Sequence, residues 1–182
     1  MQEPDPKTVR AAAAGDTAAF TEIVRSTQAD VWRFIRHLVH DDELAADLTQ
    51  DTYVRVHRSI GTFRGDSLFR TWLFRIARNL TIDEQRRSGR RGRSTPLDEQ
   101  RPEVSGSNAG PALYTELRAA LRELPEPQRS AFVVVEVFGL KYREAGAILG
   151  VSEGTVKSRV FHARARLVRW FEADSRAEGD RG

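Results

Sequence analysis

Basic side chains are concentrated near the end of the chain, in a stretch suited to binding the phosphates of DNA. From 153 to 169 there are five basic residues and one acidic residue, Glu153. The basic residues are Lys157, Arg159, Arg164, Arg166 and Arg169. Cationic and hydroxyl side chains bind phosphate oxygens, and the candidates for this role are Ser152, Lys157 and Arg159. Candidates for contacts with base edges are Ser158, Phe161 and His162.

Two helices separated by a short turn would have to position these side chains. Apolar residues at 145, 148 and 149 form one helical face, and Gly150 can take the left-handed backbone that ends a helix. Ser152 can cap the next helix with its hydroxyl. The buried face of that second helix would consist of Val156, Val160, Ala163 and Leu167. This is the layout of a helix-turn-helix, whose second helix enters the DNA major groove. The alternative is an ordinary helical hairpin.

A second group of candidate DNA-binding residues lies in WLFRIARNLTIDEQRR, from Trp72 to Arg87. It combines a large aromatic, several arginines and an asparagine. Single-stranded DNA suits such a helix, because bases stack on rings while phosphates pair with arginine. The preceding loop, with Phe63 and Arg64, could accept an unstacked base. The alternative is that Trp72, Leu73 and Ile76 are simply core residues.

A third group, Asp47, Gln50 and Asp51, lies at i, i+3 and i+4 on one polar helix face. On spacing alone, a solvated helix face is the better explanation of this pattern.

The composition excludes several classes of protein. Of the 182 residues 40% are hydrophobic and 30% charged, which is typical of a folded soluble protein. Cysteine is absent, so disulfides and thiolate sites are excluded. Four scattered histidines make no metal-site pattern, and we predict no catalytic residues, metal or cofactor. We see no secretory signal and no membrane-spanning run, so we predict a cytoplasmic protein without membrane insertion.

Charge is distributed unevenly along the chain. Residues 1–51 have a net charge of −5, residues 52–102 of +7 and residues 103–182 of +1. The basic middle indicates phosphate contacts, and the acidic front indicates a different partner, possibly a protein.

The periodicity predicts an all-α fold of two small domains. The first domain comprises residues 1–87, with one helix around Phe20 and another from Val31 to Val39. Residues 88–110, poor in large apolar side chains, form a predicted flexible linker. The second domain comprises residues 111–182 and contains the helix-turn-helix. The run from Phe132 to Val135 has strand propensity, but one strand would lack a partner, so we predict a helix.

Three segments together resemble the extracytoplasmic-function sigma factors of the bacterial sigma-70 family. They are DLTQDTYVRV (47–56), FRGDSLFRTWLFRIARNLTID (63–83) and LRELPEPQRSAFVVVEVFGLKYREAGAILGVSEGTVKSRVFHARARL (121–167). The resemblance covers nearly the whole chain. It implies a subunit of RNA polymerase that recognises promoters and assists strand opening, with roles in transcription regulation and stress response.

The resemblance also implies roles for particular residues. The residues implied to dock on the clamp helices of the largest polymerase subunit are Asp47, Gln50 and Asp51. The residues implied to melt the minus-ten element are Phe63, Arg64, Arg75, Arg78, Asn79 and Asp83. The residues implied to read the minus-thirty-five element are Ser152, Lys157, Ser158, Arg159, Phe161 and His162. Other implied partners are the polymerase flap and an anti-sigma factor.

Three positions depart from the family pattern. Lys141 stands where a Ser or Thr cap is common, and His162 where a basic residue is common. Gly146 replaces a usual Ala, which we expect to loosen its helix by up to about 1 kcal/mol. Two alternatives remain, a stand-alone helix-turn-helix regulator and a helical interaction module.

Overall fold

The computed structural model describes residues 2–90 and 111–179, and the side chains of 90, 111–114 and 174–179 are left aside. The regular elements within these ranges are helices. They are α1 (Pro6–Ala13), α2 (Thr17–Val39), α3 (Asp42–Ser59), α4 (Phe69–Arg90), α5 (Pro111–Arg122), α6 (Glu126–Phe132), α7 (Tyr142–Leu149) and α8 (Glu153–Gly179). Among them, none has both the length and the apolar character of a membrane span.

The predicted all-α fold class is confirmed. Helix α4 continues to Arg90, three residues beyond the predicted end of the first domain at residue 87. The predicted linker, 88–110, therefore begins within a helix, and the rest of it lies outside the described residues.

The front part of the chain forms a four-helix unit whose starts are fixed by aspartates. Asp5, Asp16 and Asp41 each accept a hydrogen bond from a backbone N–H in the first turn of α1, α2 and α3. The core of the unit contains side chains without solvent exposure, among them Ile23, Phe34, Ile35, Val56, Leu73 and Phe74.

The two helices predicted around Phe20 and from Val31 to Val39 are one continuous helix, so that prediction was wrong. The polar stretch between them contains neither Gly nor Pro, so nothing in it ends a helix. Its buried hydroxyl is satisfied, because Thr27 Oγ1 donates to the Ile23 carbonyl over 2.6 Å and lies 2.7 Å from the Tyr53 hydroxyl.

The β-branched run in the back part is helical, as predicted. After α6, residues Val133–Val137 form a π-helical turn that closes with the Phe138 N–H donating to the Val133 carbonyl over 3.1 Å. Val133 and Val134 are fully buried. Burial against neighbouring helices therefore overrides the local strand propensity.

The helix-turn-helix is formed by α7, residues 150–152 and α8. Gly150 takes φ 67° at the end of α7, and Ser152 Oγ accepts the Thr155 N–H over 3.1 Å. The missing Ser or Thr cap at Lys141 is compensated by Glu144, whose carboxylate accepts the Lys141 N–H over 3.0 Å. Both the glycine stop and the serine cap are confirmed.

Gly146 has a packing role that helix propensity alone does not reveal. A Cβ at this position would lie 2.8 Å from the backbone carbonyl oxygen of Val151. That carbonyl belongs to the turn, and the Val151 N–H donates back to the Gly146 carbonyl over 3.1 Å. Glycine therefore allows the turn to approach the helix closely, which an alanine would prevent.

Two histidines lie where the C-terminus of α2 meets the back part. His40 ends α2 with φ 61°, and its ring nitrogens are buried without a hydrogen-bond partner among the described residues. Burial, together with nearby Arg129, Arg122, Arg118 and His37, lowers the pKa of His40 to about 3. Burial, together with Arg36, Arg118 and Arg33, lowers the pKa of His37 to about 4. Both rings are therefore neutral in the folded protein at neutral pH.

The variant Gly146→Ala should lower the free energy of unfolding despite the better helix propensity of alanine. The control is Gly154→Ala in the first turn of α8, where the nearest atom to a new Cβ is a side-chain oxygen at 3.9 Å. We expect this control to be neutral or stabilising by up to about 1 kcal/mol. Thermal and urea unfolding of both variants provide the measurement. Equal stabilisation by the two alanines would contradict the tight approach of residues 146 and 151.

Acidification should destabilise the fold before the carboxylates titrate. A histidine whose folded pKa is depressed stabilises the fold fully above its unfolded pKa of 6.5, and that stability is lost as pH falls towards the folded values of about 4 and about 3. We expect a loss of roughly 1–2 kcal/mol per histidine between pH 7 and pH 5, measured by urea unfolding. His40→Asn, which tolerates the left-handed backbone without titrating, should flatten this pH dependence. An unchanged slope would refute the assignment.

Candidate functional site

The second helix of the helix-turn-helix presents a continuous solvent-exposed face. Ser158, Phe161 and His162 are all exposed, and the Phe161 ring, 69% exposed, lies 5.5 Å from the His162 ring. The opposite face, with Val156, Val160 and Ala163, is buried. A ring this exposed is accessible to a partner.

Lys157 on the same helix is exposed but not free of partners. Its ammonium lies 2.8 Å from the Glu153 carboxylate one turn earlier and 5.7 Å from the centre of the Tyr142 ring. The hydrogen bond to Glu153 raises the pKa of Lys157. The sequence analysis predicted that Lys157 contacts DNA, but it did not predict that Glu153 pairs with the Lys157 ammonium. Their i, i+4 spacing could have revealed it.

Two other predicted residues lie apart from this exposed face. Ser152 caps α8, and its hydroxyl also lies 2.8 Å from that of Thr155. Arg159 is half-buried and close enough to Arg78 of α4 to lower the pKa of that arginine. The structure therefore separates Arg159 from the exposed Ser158, Phe161 and His162.

A polar stripe runs along α4. Arg75, Asn79 and Asp83 are exposed and succeed one another at four-residue intervals, which places them on one face of the helix. An arginine and an amide on one exposed face can contact a phosphate and a base together. Asp83 also lies 4.0 Å from Arg86, which belongs to the same basic end of the helix.

Arg78 is set apart from this stripe. Its side chain is only 13% exposed and lies 3.9 Å from the carboxylate of Glu126, at the start of α6. Burial lowers its pKa, and Glu126 opposes that shift. The sequence predicted a DNA contact for Arg78, whereas in this arrangement the side chain faces the back part of the chain.

The loop before α4 joins an aromatic cluster. Phe63 is half-buried, with its ring 5.5 Å from Phe69 and 5.3 Å from Trp72. Arg64 beside it is exposed. Sequence reasoning missed Glu3, whose carboxylate accepts the backbone N–H of Phe69 over 2.6 Å and so caps α4 from the far end of the unit. No local pattern links residues so distant along the chain.

The three polar residues of α3 border a groove. Asp47, Gln50 and Asp51 are exposed, and Gln50 lines a depression of about 620 Å³ between α2 and α3. Its apolar lining, which sequence reasoning missed, consists of Phe20, Val24, Tyr53 and Val54. Val54 is 49% exposed, and burial raises the pKa of Tyr53 to about 12. His57 and the basic Arg58 also line the groove, whereas Asp47 and Asp51 are exposed on the same helix outside its lining. An apolar groove of this kind can take one face of a helix.

The predicted site residues thus lie on α3, on α4 with its preceding loop, and on α8 with the turn before it. The last two groups meet, because Arg75 of α4 and Ser152 of the turn line the same cleft. Within residues 2–90 and 111–179, no group of three or more His, Asp or Glu side chains is placed to hold a metal ion.

Comparison with known proteins assigns both parts of the chain. The family model "Sigma-70 region 2" matches residues 23–91, and "Sigma-70, region 4" matches residues 114–167. The RNA polymerase sigma-H factor of Pseudomonas aeruginosa is 34% identical over 179 residues, covering 91% of this chain and 93% of the relative. The ECF RNA polymerase sigma factor SigM of Mycobacterium tuberculosis is 36% identical over 165 residues, with 91% of this chain and 83% of the relative covered.

Solved structures agree with this assignment. CnrH in complex with the cytosolic domain of CnrY superposes with a TM-score of 0.74 at 26% identity, covering 94% of this chain and 99% of that one. The sigma factor RpoE of Bartonella quintana, solved with the anti-sigma factor NepR, gives a TM-score of 0.72 at 29% identity, covering 85% and 98%. The chain belongs to the extracytoplasmic-function sigma factors of the sigma-70 family, RNA polymerase subunits that direct initiation to specific promoters.

Proposed function

We propose that this sigma factor divides its work among the three surfaces. Residues 1–87 dock on core RNA polymerase and open the minus-ten element, and residues 111–182 read the minus-thirty-five element. The observation that supports this division best is the exposed face of α8, because Phe161 and its polar neighbours have no use within the fold. The alternative from the sequence, a stand-alone regulator, does not explain the groove between α2 and α3 or the polar stripe on α4.

The groove between α2 and α3 is the proposed docking site for the clamp helices of the largest polymerase subunit. Its apolar lining can bury one face of a helix, and Asp47 and Asp51 can pair with basic side chains at the edge. Exposed Val54 gives the groove an apolar residue that only a partner would cover. We propose that the back domain makes a second polymerase contact, at the flap.

Strand opening at the minus-ten element is assigned to α4 and its loop. Arg75 and Asn79 are the exposed residues proposed to hold phosphates and a base, with Asp83 one turn further on. Of the two predicted loop residues Arg64 is exposed, whereas Phe63 packs on Phe69 and Trp72 and so supports the loop conformation. Arg78 would join the DNA surface when it leaves Glu126.

Two further proposals follow from the family. We place the protein in the cytoplasm, where RNA polymerase works. Sigma factors among its structural relatives were solved with the anti-sigma factor NepR or the cytosolic domain of CnrY, and we propose control by an anti-sigma factor here too.

The substitution Asp51→Arg should abolish co-elution with core polymerase and all dependent transcripts, because it reverses a charge at the edge of the proposed docking groove. Run-off transcription from a promoter library, with core polymerase and either protein, provides the measurement. The matched control is Glu22→Arg, which makes the same charge change at an exposed position of α2 outside the groove lining.

Two results would count against these proposals. Normal transcription with Asp51→Arg would remove Asp51 from the docking site. No dependent transcript with the native protein, together with duplex binding in the absence of polymerase, would favour a stand-alone regulator.

Removing the Lys157 side chain should lower the affinity for the minus-thirty-five element, whereas removing the charge of Glu153 should raise this affinity. With the polymerase complex on a promoter duplex, Lys157→Ala should lower the affinity and reduce the salt slope of binding by about 1. Glu153→Gln should raise the affinity, because it releases the ammonium that lies 2.8 Å away. Glu172→Gln, an exposed acid later in α8, makes the same charge change as a control. Equal effects of the two glutamine variants would show that only net charge matters.

A further inference from the structure

The first turn of α4 is capped by an acid from a distant part of the front unit. The Glu3 carboxylate accepts the backbone N–H of Phe69 over 2.6 Å and that of Arg70 over 3.2 Å. The two residues before α4 do not provide this cap, because Leu68 has no polar side chain and the Ser67 hydroxyl donates to the Leu68 carbonyl. Two N–H groups that a helix start leaves without partners are thus satisfied by a residue 66 positions before Phe69.

Glu3 precedes a helix that is anchored in the front core. Asp5 caps α1 by accepting the Lys7 N–H over 2.7 Å, and Val9 and Ala12 of α1 are buried. The Glu3 side chain is only 28% exposed, so its carboxylate is partly shielded from solvent. An ionised acceptor makes stronger hydrogen bonds to backbone N–H groups than a neutral one does. The cap on α4 is therefore both well anchored and charge-assisted.

Helix α1 also contacts the other end of the loop that precedes α4. This loop, residues 63–68, follows the short 3-10 turn Ile60–Thr62. A Cβ at Gly61 in that turn would lie 3.6 Å from the carbonyl oxygen of Ala13, at the end of α1. Ile60 is buried in the core to which α1 contributes. Glu3 and α1 together thus restrain both the entry and the exit of the loop.

The residue that Glu3 holds supports the loop directly. The Phe69 ring is buried and lies 5.5 Å from the Phe63 ring and 5.6 Å from the Trp72 ring. Exposed Arg64 follows Phe63 in the loop. A shift of the Phe69 backbone would therefore move the ring against which Phe63 packs, and with it the part of the loop proposed to accept a base.

We propose that Glu3 is a positioning residue for the capture of a base of the minus-ten element. Its carboxylate fixes the backbone of Phe69 and Arg70, and the aromatic contact of Phe69 transmits this restraint to Phe63. Glu3 acts through the protein backbone and not through a contact with DNA. The inference rests on the proposed role of the loop in strand opening.

This role predicts a result that a simple charge effect cannot give. Removing an acid from a DNA-binding protein raises its affinity for every probe, because repulsion of the phosphates falls. Loss of a positioning residue lowers the affinity only for probes that carry the captured base. The ratio of the affinities for an intact probe and for an abasic probe therefore cancels the charge effect, and also cancels any uniform loss of folded protein.

The test uses the complex with core polymerase and a labelled single strand of the non-template minus-ten region, from a promoter identified by run-off transcription. Each base of the probe is replaced in turn by an abasic site. Glu3→Gln keeps one of the two acceptor oxygens, and Glu3→Ala removes both with the same change in charge. The control Glu22→Gln makes this charge change at an exposed position of α2.

We expect removal of the captured base to lower the affinity of the native complex about tenfold, because the stacking of that base on the protein is lost. In Glu3→Ala the same removal should cost less than about threefold, since the loop no longer holds the base in place. Glu3→Gln should lie between these values, and Glu22→Gln should keep the native ratio.

Two results would contradict these proposals at different levels. An unchanged ratio in Glu3→Ala, even with weaker binding of all probes, would overturn the positioning role and leave Glu3 a structural cap. If no abasic site weakened binding by the native complex, the proposed base capture by the loop would itself be refuted.

Discussion

Helix α4 is packed on both sides, and most other features of the molecule follow from that constraint. It contacts α2 and α3 within the front domain and α7 of the back domain. Phe74 points into the front core and touches Phe138, so one side chain serves both contacts. A helix enclosed in this way has only a narrow face left for solvent, which is where Arg75, Asn79 and Asp83 lie. The proposed DNA surface is thus defined by what the core leaves exposed.

The balance of acidic and basic side chains changes along the front domain. The acidic front has exposed carboxylates on α3 and around α1 and α2, and the basic middle segment has several arginines on α4. Several of these arginines are used within the molecule, because Arg70 and Arg78 pair with Glu144 and Glu126 of the back domain. These cations are therefore paired within the molecule, across the contact between its front and back parts.

Local patterns were sufficient to predict the helices and the turn of the helix-turn-helix. Gly150 and Ser152 act through their own backbone and hydroxyl, so their roles can be inferred from position alone. Long-range contacts were not predictable in this way. The Cβ clash at Gly146 depends on how closely Val151 folds back. The burial of Arg78 depends on Glu126, which lies on the other side of the linker.

The groove beside α3 was not predictable from local patterns either. Spacing placed Asp47, Gln50 and Asp51 on one face, but the groove beside Gln50 is also lined by Phe20 and Val24 of α2, which no pattern within α3 can reveal. The single exposed apolar residue of that face, Val54, is a weak local signal for it.

The groove and the contact between the two parts of the chain use different side chains. All residues that line the groove belong to α2 and α3, and none belongs to the back domain. The Phe138 ring packs instead on Phe34 and Phe74, in the core that α2 shares with α4. A partner seated in the groove would touch no residue of the back domain, so any effect of such a partner on the back domain has to pass through the core of the front domain.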